Sequence, residues 1–137
     1  MPATTISRAT PADLDDLVPL FAGYLEFYGQ TFDDDAADPA QARQFLHDRL
    51  AQEQSVIFLA RRDGTAIGFT QLFPSFSSVS MQRVWILNDL FVAMEARQNG
   101  VATELLETAR QFAVETGALR LELVTGLENH SAQALYE

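Results

Sequence analysis

Apolar positions in this chain follow two periods, and the changes between them divide it into strands and helices. Five segments show the alternating or continuous apolar pattern of β-strands: 4–8, 55–61, 65–73, 81–92 and 119–125. Four segments carry apolar residues at helical spacing: 10–29, 38–51, 101–116 and 128–136. The predicted order is β-α-α-β-β-β-α-β-α, which is an α/β layered arrangement around one sheet.

Turn and capping residues indicate where these elements begin and end. Thr10 precedes Pro11 and suits the N-cap of the first helix, and Gly29 suits its end. Asp63-Gly64 is typical of a tight hairpin. Gly68 is a candidate bulge or point of close backbone approach. Residues 74–78, Pro-Ser-Phe-Ser-Ser, are predicted to form a loop.

The stretch from 97 to 102, Arg-Gln-Asn-Gly-Val-Ala, lies between a buried strand and a helix start. The first turn of a helix has N–H groups without intrahelical partners and carries partial positive charge, so it can hold an anion. Gly100 has no Cβ to block a phosphate, and Arg97 adds a permanent positive charge. The pattern predicts a pyrophosphate cradle. It is not a P-loop, because the chain contains no lysine, and the Gly-x-Gly-x-x-Gly dinucleotide fingerprint is absent.

Composition narrows the class of protein. A chain of 137 residues with 47% hydrophobic content fits one domain over 1–137, and no apolar run reaches membrane-spanning length. The net charge of −10 disfavours nucleic acid and anionic membranes as partners and favours a cationic one, such as an amine. With no cysteine and no signal peptide, we expect a cytoplasmic protein. Asp33, Asp34 and Asp35 are interpreted as a solvated loop, so no metal site is predicted.

The motif Arg-x-x-Gly-x-Ala, in this order of elements, resembles the pyrophosphate loop of the GCN5-related N-acetyltransferases (the GNAT superfamily). A second motif agrees, because Asn129 is followed seven residues later by Tyr136. The resemblance covers nearly the whole chain. It implies a GNAT fold, with a mixed central sheet and helices on both faces. It also implies acetyl-coenzyme A (acetyl-CoA) as cosubstrate and direct acetyl transfer to an amine without a metal.

The resemblance also implies roles for individual residues. In the family, a bulge in the strand before the cradle separates that strand from the next, and the pantetheine arm lies in the resulting cleft. Asn129 would contact this arm, and the Tyr136 hydroxyl would protonate the leaving thiolate, which an unperturbed phenol can do at neutral pH. The other residues assigned to the cofactor are Leu90, Phe91, Val92, Arg97, Gln98, Asn99, Gly100, Val101, Ala102 and Thr103.

The proton acceptor and the acetyl acceptor are less closely defined. Asp89 is the candidate general base, with Glu26 and Glu122 as alternatives. Asn88 stands where the polyamine and diamine branch of the family commonly has glutamate, which puts a polyamine acceptor in doubt. Tyr28, Glu26 and Phe76 are the candidate substrate-binding residues, because aromatic rings and carboxylates suit an amine.

The expected function is acetyl-CoA-dependent acetylation of a primary amine on a small molecule, either polyamine-like or amino-acid-like. The alternatives are a peptide or protein acceptor, and a non-catalytic acyl-CoA-binding or regulatory module. Family members continue with two more strands after the Tyr136 helix, so we expect that the chain is truncated at its C-terminus. The exposed strand edge that would result makes a homodimer a further expectation.

Overall fold

The computed structural model of the protein describes residues 3–29 and 39–124. The strands in these ranges are β1 (Thr4–Arg8), β2 (Val56–Arg62), β3 (Thr65–Ser77), β4 (Gln82–Val92) and β5 (Arg120–Leu123). The α-helices are α1 (Leu14–Gly29), α2 (Pro39–Ala51) and α3 (Val101–Glu115). Short 3-10 turns precede α1 and follow β4. The predicted order of elements is confirmed over these residues, and the predicted helix 128–136 lies outside them.

The strands form one mixed sheet in the order β1-β2-β3-β4-β5. Neighbours from β1 to β4 are antiparallel, whereas β5 runs parallel to β4 and is reached through α3. Successive β2 side chains point to opposite faces: Val56 and Phe58 pack with the α3 core, and Ile57 and Leu59 pack with the core of α1 and α2. The predicted layering, with helices on both faces of a mixed sheet, is therefore confirmed.

Thr10 caps the 3-10 turn Pro11–Asp13, which leads directly into α1 at Leu14. The Thr10 hydroxyl accepts a hydrogen bond from the backbone N–H of Ala12, and the Asp13 carboxylate accepts one from the backbone N–H of Thr10. Arg61 on β2 donates to Asp13 and Asp16, which ties this corner to the sheet. The backbone donor of Thr10, assisted by Arg61, holds the pKa of Asp13 below its ordinary value.

The predicted loop at 74–78 is wrong over most of its length, because β3 continues to Ser77. Pro74 pairs with Trp85 and Phe76 pairs with Arg83 in the hairpin with β4. A proline lacks the N–H needed in a central strand. Here β2 begins only at Val56, opposite Leu72, so β3 beyond Leu72 is not flanked by β2 and the missing donor removes no bond to it.

A β-bulge at Asn88 reverses the side-chain alternation of β4. Gln71 pairs with Asp89 and the next residue, Leu72, pairs with Leu87, so Asn88 is the extra residue. Before the bulge, odd-numbered side chains such as Leu87 pack toward α3; after it, Leu90 and Val92 do so. Asp89 is thereby directed to the same face as α1, where it reaches Tyr24 and Gln71.

The backbone of β4 and a side chain of α3 pack so closely against β3 at Gly68 that this position requires a glycine. A Cβ at Gly68 would lie 3.0 Å from the backbone oxygen of Phe91 and 3.3 Å from a methyl of Leu105. The register of β2 and β3 also shifts beside Gly68, between Ala60 and Arg61. The predicted close approach at this residue is confirmed.

Within residues 3–29 and 39–124, no helix is both long enough and apolar enough to cross a membrane.

Candidate active site

The turn between β4 and α3 presents unpaired backbone donors at the helix start. Gly100 is the N-cap, with φ of 81°, and has no side chain to cap the helix. The first intrahelical bond runs from the N–H of Glu104 to the carbonyl of Gly100, so the N–H groups of residues 101–103 precede it. Gln98 is also left-handed, with φ of 66°. This geometry is suited to an anion, as the sequence predicts.

Arg97 is folded back against the end of the sheet. Its Nε donates to the backbone oxygen of Val92 at 2.9 Å. Its guanidinium lies 5.4 Å from the ring centre of Phe27 and 5.6 Å from that of Phe91. Arg97 therefore links the turn to the last part of α1 and brings positive charge beside the cradle. Nε is committed to Val92, so contact with a phosphate would use the terminal guanidinium nitrogens.

β4 and β5 pair over only part of β4. Their register runs from Val84 opposite Arg120 to Leu87 opposite Leu123, and the N–H of Val124 bonds the carbonyl of Leu87. Within the described residues, β5 therefore does not pair with 88–92, which begins at the bulge and leads to the cradle. This is the arrangement expected for a strand edge that pairs with a pantetheine arm, and Leu90, Phe91 and Val92 lie on it.

Asp89 lies at the centre of a buried polar network. It is 4% exposed, and one carboxylate oxygen accepts from Gln71 Nε2 at 2.6 Å while the other accepts from Asn88 Nδ2 at 3.1 Å. The side chain of Tyr24 on α1 also hydrogen-bonds this carboxyl. Gln71 in turn accepts from the Ser55 hydroxyl at 2.8 Å. The carboxyl is thus held in place from α1, β3 and β4.

Burial raises the pKa of Asp89, although the donors from Tyr24, Gln71 and Asn88 act in the opposite direction. A carboxyl that is removed from water loses solvation of its charged form, so protonation becomes easier. A raised pKa makes a carboxylate a better proton acceptor near neutral pH. This environment suits the predicted general base.

The structure brings some of the predicted residues together and leaves others apart. Glu26 is exposed on α1, and Tyr28 follows one helical turn after Tyr24 on the backbone of that helix. Phe76 is 68% exposed under the guanidinium of Arg83. It is five residues along β3 from Gln71, or about 17 Å, so it lies far from Asp89.

The remaining predicted residues are placed as follows. Glu122, the other alternative base, pairs with Arg120 at 2.7 Å on β5. Asn129 and Tyr136 lie outside the described residues, and their roles stay predictions.

Sequence reasoning missed three members of the polar network. These are Tyr24, Ser55 and Gln71. A signal was available for one of them, since Gln71 lies between Phe69 and Leu72 in a strand with a largely apolar pattern. A polar side chain at such a position requires a buried partner.

Sequence comparison decides the family. Residues 17–137 match the Acetyltransferase (GNAT) family. The chain belongs to this family. GNAT proteins are N-acetyltransferases that use acetyl-CoA, so the identification of the chain as an N-acetyltransferase enzyme is confirmed at this level.

Individual relatives agree with the family. The chain is 46% identical to the uncharacterized N-acetyltransferase YhfO of Bacillus subtilis over 132 residues, covering 96% of this chain and 85% of the relative. It superimposes on the crystal structure of a probable acetyltransferase with a TM-score of 0.87 at 48% identity, covering 96% of this chain and 86% of the other. A shorter match of 38% over 73 residues is to the D-amino-acid N-acetyltransferase HPA3 of Saccharomyces cerevisiae, covering 53% of this chain and 45% of that protein.

Burial of Asp89 predicts an unusual dependence of stability on pH. Since its pKa is raised in the folded state, the ionised carboxylate destabilises the fold above that pKa, and this cost disappears as the pH falls through it. Asp89→Asn removes the charge and keeps the shape. It is expected to raise the thermal unfolding temperature at pH 7 by a few degrees, with the difference shrinking toward pH 4.

Scanning calorimetry from pH 4 to pH 8 measures this. Asp63→Asn is the matched control, because Asp63 is an exposed turn residue with φ of 52°, a conformation that asparagine tolerates. The control should follow the unmodified chain at each pH. An Asp89→Asn protein less stable than the unmodified chain at pH 7 would contradict the account of this site.

Proposed function

We propose that this protein transfers the acetyl group of acetyl-CoA directly to a primary amine on a small molecule. The observation that carries the proposal is the combination of an open strand edge, a cradle of backbone donors and a buried carboxyl within one stretch, 88–103. Membership of the GNAT family identifies acetyl-CoA as the acetyl donor. The short match to a D-amino-acid N-acetyltransferase favours an amino-acid-like acceptor over a polyamine, as does Asn88 in place of a glutamate.

The cofactor would lie along 88–92 with its pyrophosphate at the start of α3. The donors there are the backbone N–H groups of 98–103, with Arg97 beside them. Because the protein carries a net charge of −10, attraction of the anionic cofactor rests on these local donors rather than on the overall field. The strand edge would hydrogen-bond the pantetheine amides and place the thioester near the bulge.

The transfer step needs a neutral amine and a protonated leaving group. The amine nitrogen attacks the thioester carbonyl, the carbon–sulfur bond breaks, and Tyr136 protonates the departing thiolate. Asp89 takes the proton that the amine loses. Asp89 is 4% exposed, so its carboxyl has little direct contact with solvent. The proton would reach the carboxyl on the side where Tyr24 and the exposed Asn88 contact it. Tyr28 and Glu26 on α1 are the proposed contacts for the body of the amine.

Binding at the cradle is tested by adding a charge at the N-cap of α3. Gly100→Glu places a carboxylate where the pyrophosphate would lie. We expect CoA and acetyl-CoA affinity to fall by about 100-fold or more, because the added carboxylate would occupy the place of the pyrophosphate and repel its charge. Isothermal titration measures the affinities.

Gly117→Glu provides a closely matched control at the other end of α3. Gly117 has φ of 71° against 81° for Gly100, and a Cβ at either residue would meet nothing within 4 Å. Both variants therefore carry the same added charge and a similar backbone strain. Equal loss of affinity in both variants, or in neither, would contradict the cradle.

Asp89→Asn tests the chemistry separately from binding. We expect kcat to fall by about 100-fold or more with cofactor affinity retained, because the loss of a general base affects the proton transfer alone. Thiol release from acetyl-CoA, measured over a panel of amino acids and diamines, gives the rates. Asp63→Asn serves again as the control. Undiminished turnover in Asp89→Asn would exclude this carboxyl as the base, and the absence of transfer to every amine would favour a binding module.

A further inference from the structure

The side chain of Gln71 is buried, and both the NH₂ group and the oxygen of its amide make hydrogen bonds. It is 1% exposed on β3, directly opposite Asp89 on β4. Its Nε2 donates to Asp89 at 2.6 Å and its Oε1 accepts from Ser55 Oγ at 2.8 Å. A short charge-assisted hydrogen bond of this kind is stronger than one between neutral groups. This bond is shorter than the 3.1 Å bond from Asn88 to the same carboxyl.

Ser55 holds the far end of the Gln71 amide. It is 4% exposed and lies immediately before β2. Its hydroxyl donates to Oε1 at 2.8 Å, so the NH₂ group is directed at Asp89 and stabilises the charged carboxylate. If the amide were reversed, its oxygen would face Asp89, and only a protonated carboxyl could then bond to it. The charged carboxylate therefore selects this orientation, and the Ser55 hydroxyl, which can donate or accept, satisfies the amide oxygen and restrains the side chain.

Within residues 3–29 and 39–124, the other groups that hydrogen-bond Asp89 are a phenol and an amide rather than charged side chains. They are the Tyr24 side chain from α1 and the Asn88 amide from β4. The described cations of α2 are engaged elsewhere, with Arg43 on Asp15 and Arg49 on Gln54. Arg97 lies over the ring of Phe91, two residues farther along β4. Among the described residues, a hydrogen bond from the neutral side-chain amide of Gln71, rather than an ion pair, offsets the cost of burying this carboxylate.

We propose that Gln71, held in place by Ser55, is a positioning residue that favours the charged form of Asp89 and keeps its carboxyl aimed at the reaction. The inference rests on the proposed function for its catalytic meaning, although the effect on Asp89 exists in the protein without any ligand. Neither Ser55 nor Gln71 touches the reacting atoms. Each acts through the carboxyl.

The direct test is a carbon-13 NMR titration of the Asp89 carboxyl in the unliganded protein. The resonance is assigned by its loss in Asp89→Asn. The main variant is Ser55→Ala with Gln71→Met, which removes both polar groups and leaves neither one buried without a partner. We expect the pKa of Asp89 to be higher in this variant than in the unmodified chain. Ser55→Ala alone, a milder change, should move it in the same direction by less.

Gln111→Met is the matched control for the glutamine replacement. Gln111 is exposed on α3, and its side chain contacts Glu115 rather than the network. The pKa of Asp89 should be unchanged there. Circular dichroism and thermal unfolding confirm which variants are folded. If the double variant does not fold, the comparison is made with Ser55→Ala.

The pH profile of kcat/KM for thiol release links the effect to catalysis. In the double variant its acid limb should move to higher pH, so the rate at a pH on that limb should fall about tenfold for each pH unit of displacement, while the plateau at high pH recovers. An unchanged Asp89 pKa in a folded variant would overturn the inference. A raised pKa with an unmoved acid limb would overturn its catalytic part. Full activity in Asp89→Asn would instead show that the proposed base is wrong.

Discussion

The bulge at Asn88 is the constraint on which the rest of the site depends. A regular strand would direct Asp89 and Phe91 into the apolar core beneath α3, where an aspartate would have no partners. One extra residue reverses the alternation, so that Leu90 and Val92 fill that core and Asp89 meets Tyr24 and Gln71. The pairing of β4 with β5 ends at Leu87, immediately before the bulge. The position of Asp89 and the open edge of β4 therefore have one cause.

Burying the Asp89 carboxyl lowers the stability of the fold and, under the proposed function, assists the proton transfer. Water is nearly excluded from Asp89, which raises its pKa, and the amide of Gln71 limits the increase. These contributions act in opposite directions on one pKa, and under the proposed function a raised pKa makes Asp89 a better proton acceptor. At the other end of the stretch, Gly100 leaves the start of α3 without a side-chain cap, so backbone donors remain for a ligand. Both features lower the stability of the fold: a carboxyl is buried at Asp89, and the start of α3 has no side-chain cap at Gly100.

The architecture could be predicted from local patterns, whereas the details of the site could not. Periodicity gave β1 at 4–8 and the start of α3 at Val101, and the pair Asp63-Gly64 gave the hairpin, because each depends on nearby residues alone. Asp89 could be named as a candidate base from the family resemblance, but its burial and its bonds depend on Gln71 and Ser55, which are 18 and 34 residues away in sequence. The extent of β3 was underestimated at Pro74, since the register that leaves this part of β3 without β2 beside it cannot be read from the sequence.

One stretch, 88–103, is expected to receive the cofactor. Backbone amide chemical shifts in a nitrogen-15 labelled protein, followed during titration with CoA, report on each of these residues separately. The largest changes should fall in two clusters, at 88–92 and at 98–103, with the β1 and hairpin-tip residues 4–8 and 76–83 little affected. Saturable binding that leaves both clusters unchanged, or no binding to CoA and acetyl-CoA at millimolar concentration, would contradict this placement of the cofactor.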